Sequence, residues 1–398
     1  MGAEGPLNGI RVVALEQSIA LPYGTFALAE MGAEVIKIER PRSGDVVRGW
    51  DHAVQGLSTG FVWVNADKLD ISIDVSTQEG ASVVRRLVAS ADVFVENFAP
   101  GVVERLGLGY ETLASDHQEL IYCSLSGYGQ DGPYRNEKAY DLIVQGESGI
   151  LLTNGAPDAP AKVGLPITDI FGGMMAVMGI LGALRTRDQT GRGQYLDIAM
   201  LDAAVACLGY FPQHYWHGGD EPLRTGMRHQ YLCPYGPYLA ADGQYVNLVV
   251  ASGKDWERFA TYVVQRPDWL TDHRFATIDS RKQNRRELEA AVEAAIVQDV
   301  SAAWMERLRA AGLPCGEVRN IASVLQHPQL QHRSMFVQAT SEVGELPIIR
   351  FPLGDVARER HIPKLSEHLH RILSEAGYGE ADRQRLIESG AVEEPRRS

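Results

Sequence analysis

Several protein classes are excluded by what this sequence lacks. Only four cysteines occur among 398 residues (Cys123, Cys207, Cys233 and Cys315), scattered with no close pair. That rules out a CxxC zinc or redox motif and reads as a reduced, cytoplasmic chain. Basic residues are in deficit: 38 Lys and Arg minus 51 Asp and Glu leave a net charge of -13. The sign argues against broad nucleic-acid or anionic-membrane binding, while leaving room for one local basic pocket suited to phosphate. Long apolar runs are missing too. The stretch from Ile170 to Leu184, between Asp169 and Arg185, is interrupted by glycines and falls short of the ~20 residues of a bilayer span, so no membrane partner is expected. The opening MGAEGPLNG has neither the basic start nor the apolar core of a secretory signal, and no Ser or Thr where myristoylation requires one. HExxH, P-loop and EF-hand patterns are absent, which removes the main support for zincin and nucleotide-triphosphatase chemistry. No metal site is expected.

What is present is an alternation of short apolar runs with amphipathic ones. Ile10 to Leu15, Glu34 to Ile38, Ile71 to Val75, Asp92 to Val95, Leu120 to Leu125 and Gln194 to Ala199 read as strands. Tyr23 to Met31, Thr77 to Ala89, Ile170 to Leu184 and Leu201 to Tyr215 read as helices. Strands separated by helices of this length indicate an α/β fold with a mostly parallel sheet. The texture changes after Gly218, where Gly, Pro and aromatic residues suggest an extended crossing. Two alternating runs then flank Asp242-Gly243, a strong hairpin signal. The expected division is a large domain from 1–215 and 336–398, a linker at 216–224, and a small α+β domain at 225–335.

Two motifs carry chemistry. Gly127-Tyr-Gly-Gln-Asp-Gly132 matches GxGxxG, but Pro133 follows and no helix opens there, so it reads as a glycine-rich loop that lets backbone approach a ligand. Asp169 stands immediately before the apolar helix, in Gly164-Leu-Pro-Ile-Thr-Asp169. From position alone it is either an N-cap or a carboxylate nucleophile beside Gly172-Gly173, where backbone can come close.

Six segments in order resemble the class III CoA-transferase family. They are PLNGIRVVAL, GAEVIKIERPRSGD, ADVFVENFAPGVVERLG, LPITDIFGGMMAVMGILGAL, TGRGQYLDIAMLDA and GLPCGEVR, which together cover nearly the whole chain. The resemblance implies a Rossmann-like large domain and an interlinked homodimer. It also implies acyl-CoA and carboxylic-acid substrates without a tightly bound cofactor. It makes Asp169 the nucleophile and assigns coenzyme A to Arg40, Ile73, Ser76, Asn97, Phe98, Arg105, Lys138 and Tyr140. Arg and Lys suit CoA phosphates because charge-assisted hydrogen bonds to phosphate are strong. Gln17, Ile19 and Gly127 are expected near the acid, with Gly127 to Gly129 as candidate oxyanion donors.

Where some members carry glutamine in the first loop, this chain has Ile19, with Gln17 two residues earlier. Its crossing segment, ending in Pro234-Tyr-Gly-Pro-Tyr238, resembles the branch handling C4 and C5 dicarboxylates. A second carboxylate buried near Asp169 would need a cation. Arg228 and His229 are expected to supply it, with Arg224 in reserve. The racemases of the same family use a histidine where this chain has Tyr140, and an unperturbed phenol, with a pKa of about 10, is a poor base near neutral pH. The expectation is therefore a CoA-transferase, with an acyl-CoA racemase as the alternative.

Overall fold

The runs RVVAL, EVIKIE, LDISI, VFVE and IYCSLS are buried almost throughout, as strands covered on both faces are, and their charged members such as Lys37, Glu39 and Asp70 are buried with them. In the computed structural model, which describes residues 5–221 and 224–395, they form β1 (Arg11–Leu15), β2 (Glu34–Glu39), β3 (Leu69–Ile73), β4 (Val93–Glu96) and β5 (Ile121–Ser126). YLDIA forms β6 (Tyr195–Ala199) at the sheet edge, where its residues alternate between exposed and half-buried as an edge strand permits. All six are parallel in the order β3-β2-β1-β4-β5-β6, and the strand Val392–Glu393 adds antiparallel to β3. The expected strand Ile71 to Val75 lies two residues earlier, because Asp74 already accepts from Ser76 and Thr77 caps the following helix.

Helices α1 (Ala20–Glu30), α2 (Gln78–Val88), α3 (Asp141–Glu147) and α4 (Ile167–Thr190) belong to the same unit as this sheet. The expected helix from Leu201 to Tyr215 is two, Met200–Ala206 and Phe211–Trp216, separated at Gly209 with φ 68°. The charge-free run from Ile170 extends both ways into α4, a 24-residue helix long and apolar enough, by length and composition, to cross a membrane. Here its Gly172, Gly173, Ala176, Val177 and Ile180 are buried within the unit.

The chain divides into two compact units. One comprises Met1–Ile150, Val163–Gly209 and Pro328–Ser398; the other comprises Leu151–Lys162 with Tyr210–His327. Relative to the expected domains, the second unit starts at 210 and gains the strip 151–162. Residues 222 and 223 of the expected linker lie outside those described. Within the second unit Gly226 N–H donates to the Gly155 carbonyl (2.9 Å), a pairing across seventy residues that composition cannot reveal. The Asp242-Gly243 hairpin forms, with Tyr235–Leu239 antiparallel to Tyr245–Val249 and Gly243 at φ 74°. Trp256, Phe259 and Trp269 fill the core of this unit.

Backbone meets backbone where α1 crosses α4. A Cβ on Gly173 would lie 2.3 Å from the Ala20 carbonyl oxygen, and one on Gly24 would lie 2.8 Å from the Gly173 carbonyl oxygen. The close approach expected at Gly172-Gly173 is thus a helix–helix contact. Gly173→Ala must push the two helices apart, and overpacking of this kind costs about 1–3 kcal/mol. The expected outcome is a lower denaturant midpoint with an unchanged slope, measured by chemical unfolding.

Candidate active site

In a sheet ordered like this one, ligands bind at the carboxyl ends of the strands where the chain order reverses. Here that place is between β1 and β4. The loops leaving β1, β2, β4 and β5 bring Gln17, Arg40, Asn97 and Phe98, and Gly127 there. Two cavities open at these loops. The larger, of about 1040 Å³, is lined by Arg40, Gly44, Ile73, Ser76, Val102 and Glu393, among others. The smaller, of about 530 Å³, holds Asp169 together with Gln17, Asn97, Gly127, Lys138 and Tyr140. Gln17, Arg40, Val46 and Phe98 line both, so the two adjoin.

The loop after β1 is held against its own preference. Ser18 has φ 65°, in the left-handed region that disfavours a residue with a side chain. Such strain persists only when the surroundings over-determine it. The Asn97 amide grips Gln17 on both backbone groups, accepting from its N–H (3.0 Å) and donating to its carbonyl (2.8 Å). Asp45 accepts from Ser18 N–H at 2.9 Å. Asp45 is in turn paired with Lys37 (2.8 Å), and Glu16 with Lys68 (2.7 Å), all four side chains being fully buried. Burial pushes the Glu16 carboxyl up, but Lys68 and Lys37 outweigh it and leave it low. The Lys68 ammonium is pushed down to about 8 by burial, against the pull of Glu16.

Asp169 is the third residue of α4 and half-buried. Loss of water, and then the Asp141 carboxylate, raise its carboxyl to about 7. The loop after β5 stays irregular up to Tyr140, as the reading of Gly127 to Gly132 anticipates. Its Gly129 N–H is occupied by Ser126 Oγ (2.9 Å), which withdraws one of the expected oxyanion donors. Beneath the loop, Gln130 Nε2 donates to Ser124 Oγ (2.6 Å), and that hydroxyl donates to the buried Glu96.

Residues 7–368 match the family model described as CoA-transferase family III. This chain belongs to CoA-transferase family III. The succinyl-CoA:glutarate CoA-transferase of Mus musculus is 33% identical over 98% of this chain and 91% of the relative. The succinyl-CoA:mesaconate CoA-transferase of Haloarcula hispanica is 33% identical over 94% of this chain and 97% of its own length. A crystal structure of a CAIB/BAIF family protein from Brucella suis superposes with a TM-score of 0.82 at 34% identity, covering 94% of this chain and all of that one. The protein is an enzyme that transfers coenzyme A.

Not every expected site residue of this family III CoA-transferase lies in the cavities. Ile19 is 2% exposed and packs in the core beneath the loop, so it does not face the acid. Arg105 is exposed on the turn that supplies Val102 but does not itself line either cavity. The expectation that Arg228 and His229 offer a free cation is corrected. Arg228 is bound by Glu289 (2.8 Å) and Glu293 (2.5 Å) and stacks over Tyr238. His229 Nδ1 accepts from the N–H groups of Tyr231 and Leu232, and burial and Arg285 push its pKa down, so the ring is a neutral acceptor. Arg224 donates to the carbonyls of Ala156 and Pro157. Arg135 escaped the sequence reading although it lines the Asp169 cavity, because nothing in its loop distinguishes it from a solvated charge.

Asn97 was expected to touch coenzyme A; its amide already holds the β1 loop. Asn97→Ala strips partners from both Gln17 backbone groups, and each unmade bond costs about 1–3 kcal/mol where water cannot replace it. A lowered unfolding midpoint together with weaker CoA binding by calorimetry is the expected outcome.

Proposed function

We propose that this enzyme moves CoA between succinyl-CoA, or a similar dicarboxylyl-CoA, and a C4–C5 dicarboxylate such as itaconate, mesaconate, citramalate or malate. The observation that carries the mechanism is Asp169, a half-buried carboxylate in a cavity that adjoins a larger one. The Asp169 oxygen attacks the donor thioester carbonyl, the C–S bond breaks, and CoA thiolate leaves behind a mixed anhydride. Thiolate then attacks the aspartyl carbonyl, expelling the donor acid as its carboxylate and leaving an aspartyl-CoA thioester. The acceptor carboxylate runs both steps in reverse. Thioester and anhydride are comparably activated, so each step exchanges one acyl bond for another. Ala20 lines the same cavity at the head of α1, which has no side-chain cap. The N–H groups of Ala20 and Leu21, ahead of Pro22, lack intrahelical acceptors and suit a developing oxyanion.

The larger cavity suits the nucleotide end of CoA, with Ile73 and Ser76 on its wall and Arg40 at the junction. The names of the relatives support the dicarboxylate class. The lining of the Asp169 cavity supports it too: Arg40, Arg135 and Lys138 line it, and among the described residues none of the three forms an ion pair. With Arg40 and Lys138 directed to CoA phosphates, Arg135 is left for the distal carboxylate, which its planar fork can bind with two bonds. Among the described residues lining this cavity there is no histidine, and Tyr140 stands where a racemase would need a base. That favours transfer over racemisation. Exposed apolar side chains at Leu142, Ile143, Leu165 and Met178 support the homodimer, which sedimentation would verify.

Incubating succinyl-CoA with a panel of C4–C5 dicarboxylates and equally long monocarboxylates, read by mass spectrometry, tests the acid class. New acyl-CoA is expected from dicarboxylates alone. Asp169→Ala should fold and yield none, whereas hydroxylamine should trap wild-type enzyme at that one residue in the presence of acyl-CoA; normal turnover by the variant would end the covalent mechanism. Arg135→Gln should cut kcat/KM for dicarboxylates by about tenfold or more, the loss expected for a charge-assisted pair, with the CoA-thioester Michaelis constant little changed.

A further inference from the structure

Helix α4 starts without a cap of its own. The residue before it is Pro166, which has no oxygen in its side chain to receive the first-turn N–H groups. The Asp141 carboxylate, at the start of α3, fills that place. Its Oδ1 accepts from Thr168 N–H at 2.9 Å and lies 2.9 Å from Thr168 Oγ1, a hydroxyl also 3.2 Å from the Asp141 carbonyl oxygen. Its Oδ2 accepts from Gln145 Nε2 at 2.7 Å, and Gln145 Oε1 accepts from Val163 N–H at 2.9 Å, on the segment leading into α4. Thr168 and Gln145 are both 0% exposed, so water cannot replace these bonds. Asp169 is the next residue along. A carboxylate borrowed from α3 therefore sets the orientation of the turn that presents it.

We propose that Asp141 is a positioning residue for the transfer: its carboxylate fixes the turn carrying Asp169, and its negative charge sets the pH at which Asp169 becomes a nucleophile. This rests on the reading of Asp169 as the nucleophile. The charges around Asp169 divide by sign. The amino end of α4 favours its ionised form, as do Arg40 from the β2 loop and Arg135 and Lys138 from the β5 loop. Burial and Asp141 oppose ionisation, and Glu137 of the β5 loop shares the sign of Asp141. A carboxyl held near neutrality is more basic than an ordinary one, and so a stronger electron-pair donor while still partly ionised. Removing only the Asp141 charge leaves the helix end and three cations less opposed, so ionisation must move to lower pH.

The full-length enzyme with Asp141→Asn and Asp141→Ala tests this. The pH profile of kcat/KM for the acyl-CoA donor is one readout. The ¹³C NMR titration of the Asp169 carboxyl, assigned by its disappearance in Asp169→Asn, is another and needs no turnover. Asn keeps an acceptor for Thr168 N–H without the charge. Its acid limb and the Asp169 titration should both fall by about one pH unit from the wild-type position near 7. Ala removes the cap as well, and kcat should drop about ten- to a hundredfold at every pH, as small misplacements of a reacting group do. The donor Michaelis constant should stay within about twofold, since CoA contacts are untouched. An unmoved limb and titration in Asp141→Asn overturns the proposal, as does wild-type kcat in Asp141→Ala. Should the Ala variant fail to fold by circular dichroism, the Asn result decides alone. Wild-type turnover without acylation of Asp169 overturns the nucleophile reading and this inference with it. An acylated Asp169 that titrates identically in both proteins overturns only the role of Asp141.

Discussion

The contact of α1 with α4 through Gly24 and Gly173 sets where every other group of the site can stand. Gly173 lies one helical turn beyond Asp169, and the Ala20 carbonyl that it touches opens the helix following the β1 loop. The nucleophile candidate and the strained Ser18 therefore sit at the heads of two helices locked backbone to backbone. A methyl group inserted there shifts both heads relative to each other, at the atoms whose separation decides reactivity. The small residues of α4 serve more than one neighbour: Gly173 meets α1, whereas Gly172 lies against Leu125 of β5 and Gly179 against Leu196 and Ile198 of β6.

A second constraint is charge. A chain of net charge -13 that handles acyl-CoA, a polyanion, must keep some cations available and neutralise others. Lys37 and Lys68 are buried under the β1 loop and matched by Asp45 and Glu16, so they stabilise the loop instead of attracting substrate. Such a cluster is worth little net energy, because desolvation offsets attraction, but removing one member leaves an uncompensated charge. It fixes one loop conformation, including a φ that Ser18 would not choose. Among the described residues lining the Asp169 cavity, the cations outside any ion pair are those on irregular loops at the strand ends, Arg40, Arg135 and Lys138.

How much of this was legible follows from the range over which each signal acts. Five of the six strands were found because burial on both faces is written within four to six consecutive residues, whereas β6 stands at the sheet edge. Asp169, Arg40, Asn97 and Phe98 were singled out because short motifs carry them, and the structure places them at adjoining cavities. Ile19 was misplaced since the residue entering a helix can turn to core or cavity, and only the packing of α1 decides. Arg228 looked free because its partners Glu289 and Glu293 lie some sixty residues further along, on another helix. The strip 151–162 and the cap from Asp141 share that cause. Each is a pairing between distant segments, and the local sequence at Pro166 states only that a cap is missing.

The raised carboxyl of Asp169 acquires a meaning when the whole catalytic cycle is considered. If Asp169 is the nucleophile, it carries a charge only in the free enzyme. In the anhydride and in the aspartyl thioester it is a neutral acyl group. An environment that withholds water and places Asp141 close by disfavours the charged state and leaves both covalent states nearly untouched. Relative to a solvated aspartate, such a site lifts the starting carboxylate toward its own intermediates and evens out the steps between them. Too strong a push would leave the residue protonated and inert at neutral pH. Burial and Asp141 raise it only to about 7, so a share of the carboxyl stays ionised at neutral pH.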